Sequence, residues 1–386
     1  MSRPKIKIAL FQNLRSGGAR RTVIEFGKRL AKNYLVDVYS LDPKTKKDFT
    51  FANKVKIFQF LISNDFLVAQ KQIIFDLPKI HKKIADKINE GNYTVAYVDH
   101  DIFTKAPYVL RYLKIPSVYF CHEPPREFYE SFSLFSSTAK LKIINLLRYY
   151  LKFIDKKNAR YANVIISSSE YSRKRNSKVY KRRVLRTRSG VDTRIFKFLY
   201  RKRENFYLTV GALAIFKGYD LLIKSIALLP GKYSFPLVAI VPRKAGRDKK
   251  KIEELAREHK VDLKIIEVKS EKELVQYYNR ARLCLFAPYF EPFGLIPIEA
   301  MACGLPVVGV MEGGLIETIL PGLGWLARRD PKAYAKAIIE ALNQKLSFKK
   351  SLKLRNYVEK TWNWDIGAKQ LENILIDTAK IKSRHR

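Results

Sequence analysis

Cysteine, methionine and tryptophan each occur only three times in 386 residues, and histidine five times. Cys121, Cys284 and Cys303 are odd in number, far apart and never in a CxxC pair. That excludes a disulfide framework and a cysteine-based metal site, and the three read as buried thiols of a reducing compartment. Long apolar runs are missing too. No stretch free of charged residues exceeds twelve, as from Ala300 to Met311, whereas a bilayer-spanning helix needs about 20. The opening MSRPKIKIALF passes straight into a strand pattern without the apolar core of a signal peptide, so a cytoplasmic protein is expected. Acidic residues are scarce, 36 against 75 Lys and Arg, giving +39. A surface this basic either keeps the chain soluble or attracts polyanions such as nucleic acid, anionic headgroups or phosphorylated substrates. The excess peaks between Arg173 and Arg188, where nine of sixteen residues are basic and none is acidic. Apolar residues are plentiful at 47%, which excludes global disorder and, at this length, suits two domains.

Short β-branched or aromatic runs alternate with longer helical patterns, the grammar of parallel α/β sheets. Strands are expected at Ile6–Phe11, Leu35–Ser40, Thr94–Val98, Ser117–Cys121 and Asn163–Ser167, with helices near 20–32, 71–90 and 140–161. After a basic stretch near 196–205 the pattern restarts. Strands are expected at Phe206–Gly211, Leu237–Val241, Leu263–Val268, Leu283–Ala287 and Pro306–Val310. Helices are expected at 219–229, 249–259, 271–281, 331–342 and 365–380. Two successive doubly wound domains follow, with no short tandem repeat. Lys142, Asn145, Arg148, Lys152 and Lys156 fall on one face of the 140–157 helix, and Ile143, Ile144, Leu147, Tyr150, Leu151 and Ile154 cover the rest. Such a helix either lies in a membrane interface or packs on a sheet.

The richest segment is Glu291-Pro292-Phe293-Gly294-Leu295-Ile296-Pro297-Ile298-Glu299. It follows a strand, at the carboxyl edge where open α/β sheets bind ligands. Pro297 suits a first helical turn. The N–H groups of Gly294, Leu295 and Ile296 should then meet an anion such as a diphosphate at the positive end of the helix dipole. Gly294 lets the backbone come close. Glu299, expected in the first turn, can accept from a ribose diol, and Glu291 from a sugar hydroxyl. Alternatively, Glu299 only complements the dipole and Glu291 faces solvent.

FAPYFEPFGLIPIEAMACGLPVVGVMEGGLIETI resembles the donor-site signature of the retaining glycosyltransferases of family 4, which have the GT-B fold. SGGARRTVIEFGKRLAKNYLVDVYS resembles that family's first Gly-Gly loop and helix. VIISSSEYSRKR, SGVDTRIF and YLTVGALAIFKGYDLLIKSIALL are similar to its last N-domain strand, its linker and the opening of its donor domain. The resemblance implies two doubly wound Rossmann-like domains facing each other across a cleft. Residues 1–198 would bind acceptor, 199–362 the nucleotide sugar, and 363–386 would cross back to the first domain.

It also implies roles. Breaking a glycosyl–phosphate bond leaves charge on the diphosphate, so cations must be in place there. Lys217, followed by Gly218, matches the family's phosphate lysine. Glu291 would orient the donor sugar, and Phe293 belongs to the donor segment. His122, after a strand, would lie near the transferred sugar, with Glu123 beside it and His100 on the acceptor side. His122, Glu291 and Lys217 form the expected catalytic set. Gly17 and Gly18 could admit donor phosphates or acceptor, although without GxGxxG spacing they are no dinucleotide fingerprint. Glu317, in a Gly-Gly-x-x-Glu element, reads as a dipole and packing residue. The family usually has an Arg where this chain has Ala212, and Arg243 is the candidate replacement.

The expected activity is metal-independent, retaining transfer of a hexose-type sugar from a UDP-, GDP- or ADP-linked donor to a glycan or polyprenyl/lipid-linked acceptor, with no other cofactor. Basic segments 140–157 and 173–188 could hold the enzyme peripherally on the cytosolic face of a membrane. The rivals are a nucleotide-sugar epimerase or phosphorylase of the same fold and, in another class, a polyanion- or nucleic-acid-binding protein. No zinc-finger, RNP or helix-turn-helix pattern supports the last, so no nucleic acid is expected.

Overall fold

The computed structural model describes residues 6–130, 139–241, 248–344 and 346–381. Arg243 therefore lies outside the described residues, as do the side chains of Lys140 and Leu141. Two compact units form, one ending at Arg188 and resuming at Trp364, the other Ser189–Asn363.

The first unit is built on a parallel sheet of β1 Lys7–Asn13, β2 Leu35–Ser40, β3 Lys54–Ile57, β4 Val95–Asp101, β5 Ser117–Phe120, β6 Val164–Ser167 and β7 Val184–Arg186, in the order β3-β2-β1-β4-β5-β6-β7. The second has β8 Tyr207–Val210, β9 Leu237–Val241, β10 Leu263–Glu267, β11 Leu283–Phe286, β12 Val307–Val310 and β13 Trp325–Ala327, in the order β10-β9-β8-β11-β12-β13. Every residue of β4, β9, β11 and β12 is buried. Helices cover both faces of such strands, so β9, β11 and β12 run apolar without alternation, as β4 does as far as Val98 before it ends in Asp99, His100 and Asp101. Each sheet reverses its strand order once, between β1 and β4 and between β8 and β11. The loops at those two edges are where a doubly wound fold binds ligands.

Several elements differ from expectation. Strands β3, β7 and β13 and helix Phe348–Thr361 were not legible. The helix expected over 71–90 is Leu77–Asn89, preceded by Phe66–Lys71 and a π-helical stretch Gln72–Asp76. The 140–161 helix breaks into Ala139–Leu147 and Tyr150–Ala159. Val191 and Phe196 sit in the second unit's core, so the chain changes unit before residue 198. Helix Trp364–Ala379 packs on helix Gly17–Leu30 of the first unit. Trp364 is buried edge-on against Phe26, and the Tyr34 hydroxyl donates to Glu372 at 2.6 Å.

Candidate functional site

In the second unit, the loops after β8 and β11 meet. Chain direction reverses after β8 through the short turn Ile215–Lys217 and Gly218, whose φ is +78°. A Cβ on Gly218 would lie 1.8 Å from the Ala287 carbonyl oxygen, so only glycine permits this contact. The Tyr289 N–H donates to the Phe216 carbonyl at 2.9 Å, tying the loops further. Lys217 Nζ lies 3.2 Å from Glu291 Oε2, each side chain partly exposed. The structure thus brings together two of the three residues expected to act in catalysis.

Helix Leu295–Ala302 starts at Gly294 with φ +103°. The need for glycine here is internal: a Cβ would meet Leu315 Cδ2 at 2.7 Å. The first N–H groups of this helix have no acceptor within it, and Glu291, paired with Lys217, lies three residues before Gly294 in the same loop. The loop after β12 supports Glu291 from the other side. The Gly314 N–H donates to the Glu291 carbonyl at 2.8 Å, and a Cβ on Gly313 would come within 2.5 Å of that oxygen.

Two expected ligands sit differently. Phe293 is buried with its ring 5.2 Å from that of Trp362, so its side chain serves the core and only its backbone borders the loop. Glu299 lies in the second helical turn, not the first, and is 2% exposed. Its Oε2 accepts from the Tyr278 hydroxyl at 2.8 Å, an interior anchor that explains why a carboxylate is tolerated there. Glu317 does fall in the first turn of Leu315–Thr318.

Arg329 was missed. It pairs with both carboxylate oxygens of Glu312 at 2.8 Å, donates to the carbonyls of Ala287 and Pro288, and stacks 3.7 Å over the Tyr289 ring. This planar fork fixes the loop carrying Glu291. Its only sequence signal is a basic pair before Asp330-Pro331, which names no partner.

The first unit's edge holds the remaining candidates. Gly17 and Gly18 are exposed at the start of helix Gly17–Leu30. Gly17 has φ +93°, and a Cβ there would meet nothing within 4 Å, so its glycine serves backbone conformation beside open space. Arg20 pins this loop by donating to the Leu14 carbonyl, to Asp42 at 3.1 Å and to Asp48 at 2.7 Å. The neighbouring Asn13 amide donates to Asp101 Oδ2 at 2.8 Å, joining the ends of β1 and β4.

His100 and His122 stack, with ring centres 5.5 Å apart and planes at 17°. His100 is buried, and its Nδ1 accepts from the His122 N–H at 3.3 Å. Burial first, then Lys105 and His122, hold its pKa well below the ordinary value, so it stays neutral. The partly buried His122 ring places Nε2 3.0 Å from Oδ1 of Asp99, a fully buried carboxylate that sequence reasoning passed over. The tautomer that donates to Asp99 Oδ1 has its proton on Nε2 and leaves the Nδ1 lone pair. Glu123 is engaged by Lys105 at 3.2 Å and Arg126 at 3.8 Å. Among the described residues no group of three or more His, Cys, Asp or Glu is placed to hold a metal ion.

Residues 191–361 match the family model described as "Glycosyl transferases group 1". "Uncharacterized glycosyltransferase MJ1178" of Methanocaldococcus jannaschii is 28% identical over 200 residues, 51% of this chain and 53% of that protein. The chain thus spans about half, or less, of the length of the curated relatives it matches. Sucrose-phosphate synthase of Thermosynechococcus elongatus superposes with a TM-score of 0.76 at 20% identity, covering 96% of this chain and 98% of that one. Anabaena Alr3699/HepE, solved with UDP-glucose, gives 0.71 at 15% identity, covering 96% and 100%. The fold of both units is accordingly that of the GT-B glycosyltransferases, and the second unit carries the glycosyl transferases group 1 sequence pattern.

Proposed function

We propose that the chain is a retaining, metal-independent glycosyltransferase that moves a hexose-type sugar from a nucleoside-diphosphate sugar to a glycan or lipid-linked acceptor. The observation that carries this reading is the 3.2 Å Lys217–Glu291 pair at the strand-order reversal, beside the start of helix Leu295–Ala302. A diphosphate seated there meets helix N–H groups and the Lys217 ammonium, donors fixed before charge develops on the leaving group. Displaced from Lys217, the Glu291 carboxylate is an acceptor for sugar hydroxyls. Retention follows only from the family resemblance. The ribose role of Glu299 is kept, with the Tyr278 hydroxyl holding its Oε2 at 2.8 Å.

A thermal-shift panel of UDP-, GDP- and ADP-sugars in EDTA tests the donor site, led by UDP-glucose because the Anabaena neighbour was solved with it. One of them should raise Tm, and Glu299→Ala should abolish the rise. A flat panel, or a rise that survives the mutation, overturns the assignment.

The first unit is assigned to the acceptor, with His122 as the sugar-side residue and Asp99 as its positioning residue. Asp99→Asn permits the other His122 tautomer. Transfer should fall about tenfold or more, with the donor KM held and the pH dependence of kcat altered. An unchanged pH profile would show that Asp99 is only structural.

A further inference from the structure

Helix Ala139–Leu147 is packed contrary to its pattern, whereas the following helix Tyr150–Ala159 buries Leu151 and Ala159 and exposes Phe153. Asn145, from the polar stripe, is 6% exposed, while Ile143, Leu146 and Leu147 face outward, Leu146 at 71%. Phe153 follows at 64%. A helix covering a sheet buries its apolar face; this one turns it to the outside.

A second element extends the same surface. Tyr150 donates to Gln70 Oε1 at 3.0 Å, placing the Phe66–Asp76 segment alongside. At its far side Gln72 donates to the Leu61 carbonyl at 3.1 Å and accepts from the Ser63 N–H at 2.8 Å. Between these anchors Leu67, Val68 and Phe75 are exposed, and Leu61, at 75%, continues the edge. The π-helical stretch Gln72–Asp76 directs Ile73 inward and Phe75 outward. Scattered exposed apolar residues need no explanation, but eight on segments tied together by Tyr150–Gln70 and the Gln72 bonds do.

The rim is cationic. Residues 139–160 hold seven Lys and Arg against one acid, Asp155, which is buried. Phe153, Lys156, Lys157, Arg160 and Tyr161 line an open cavity of about 500 Å³, large enough for a phosphate-bearing headgroup. The acids bordering the apolar face are Asp65, Asp76 and Glu127; Asp76 is paired with Lys79 and Glu127 faces Arg148. The 173–188 run is partly engaged within the fold, while Lys174, Lys178, Lys181 and Arg183 are exposed. Arg173 pairs with Glu170 and Arg175 with Glu130, both at 2.5 Å, and Arg182 donates to the carbonyls of Ala159, Arg160, Ala162 and Asn163. Among the described residues no helix is long and apolar enough to cross a membrane.

We infer that this face of the first unit is an insertion surface for an anionic bilayer. Ile143, Leu146, Leu147, Phe153, Leu67 and Phe75 enter the acyl boundary, and Lys156, Lys157 and Arg160 take lipid phosphates. Apolar burial and headgroup attraction together suit an interfacial rather than spanning attachment. The inference rests on no assumption about the donor site.

The full chain should float with phosphatidylcholine vesicles containing about one-third phosphatidylglycerol and not with pure phosphatidylcholine. Leu146→Glu/Phe153→Glu should weaken binding on the order of tenfold or more while Tm is held, since both residues are exposed. In a second variant, Phe153→Trp, emission should shift to the blue on binding, beyond the change in the parent chain. Three results would overturn the inference: no flotation at low salt, equal flotation of the double variant, or a vesicle-free dimer that the double variant abolishes.

Discussion

Gly218→Ala is expected to lower the stability of the second unit by about 3 kcal/mol, read as a thermal transition roughly 10 °C lower. Two costs combine. An alanine at φ +78° occupies the left-handed region, at about 1–2 kcal/mol. Its methyl would also sit 1.8 Å from the Ala287 carbonyl oxygen, a backbone atom that no rotamer change can remove. The loops after β8 and β11 must therefore part, taking the Tyr289 N–H from the Phe216 carbonyl. Calorimetry is the suitable measurement, because two units need not melt together. A transition within a degree or two of the parent would mean that the loops are not in contact. The same separation moves Lys217 from Glu291, so donor binding should fail together with stability.

Lys217→Ala should have the opposite profile, with stability nearly intact and transfer rate down about a hundred- to a thousandfold. The Lys217–Glu291 pair is partly exposed, and pairs of that kind contribute about 0–1 kcal/mol to folding. The ammonium matters far more once a diphosphate leaves, because charge then develops on the oxygens it faces. Lys217→Arg should recover part of the rate if charge alone is needed. Single-turnover assays with the parent's preferred donor separate the chemical step from binding. A Lys217→Ala enzyme working at the parent's rate removes Lys217 from the mechanism.

Most strands were legible because buried parallel strands are apolar runs bounded by turns, as in Leu237–Val241, where expectation and structure coincide. β3, β7 and β13 were not, since Lys54–Ile57 alternates with lysine and the other two are three residues long. Such strands exist because a neighbour offers a free edge, which is tertiary information. The site shows the same limit. Gly294 and Glu291 could be placed from spacing, since the helix start and the strand end lie in one segment. The partners of those residues come from elsewhere: Arg329 reaches back to Ala287, and Tyr278 anchors Glu299 from a preceding helix. Asp99 was passed over because an Asp at a strand end reads as a turn residue until the next strand delivers His122 beside it. The outward-facing Ile143 and Leu147 were left open between two readings for a related reason. Periodicity gives the relative arrangement of side chains around a helix, not which side is turned to the core.

Helix Trp364–Ala379 has a consequence for how the gene could be rearranged. Its docking on the first unit makes residues 189–363 a nested insertion, a guest within a host. The guest's two ends leave side by side, with Val191 bridged to Asn363 and its N–H bonded to the Trp362 carbonyl at 2.8 Å. The host's severed ends are likewise neighbours, since the Thr187 hydroxyl and the Arg188 N–H bond to Gly367 and Gln370. A short linker from 188 to 364 would therefore close the host without its guest. A stop codon at 364 would do the reverse, injuring the amino-terminal unit while leaving the adjacent one whole.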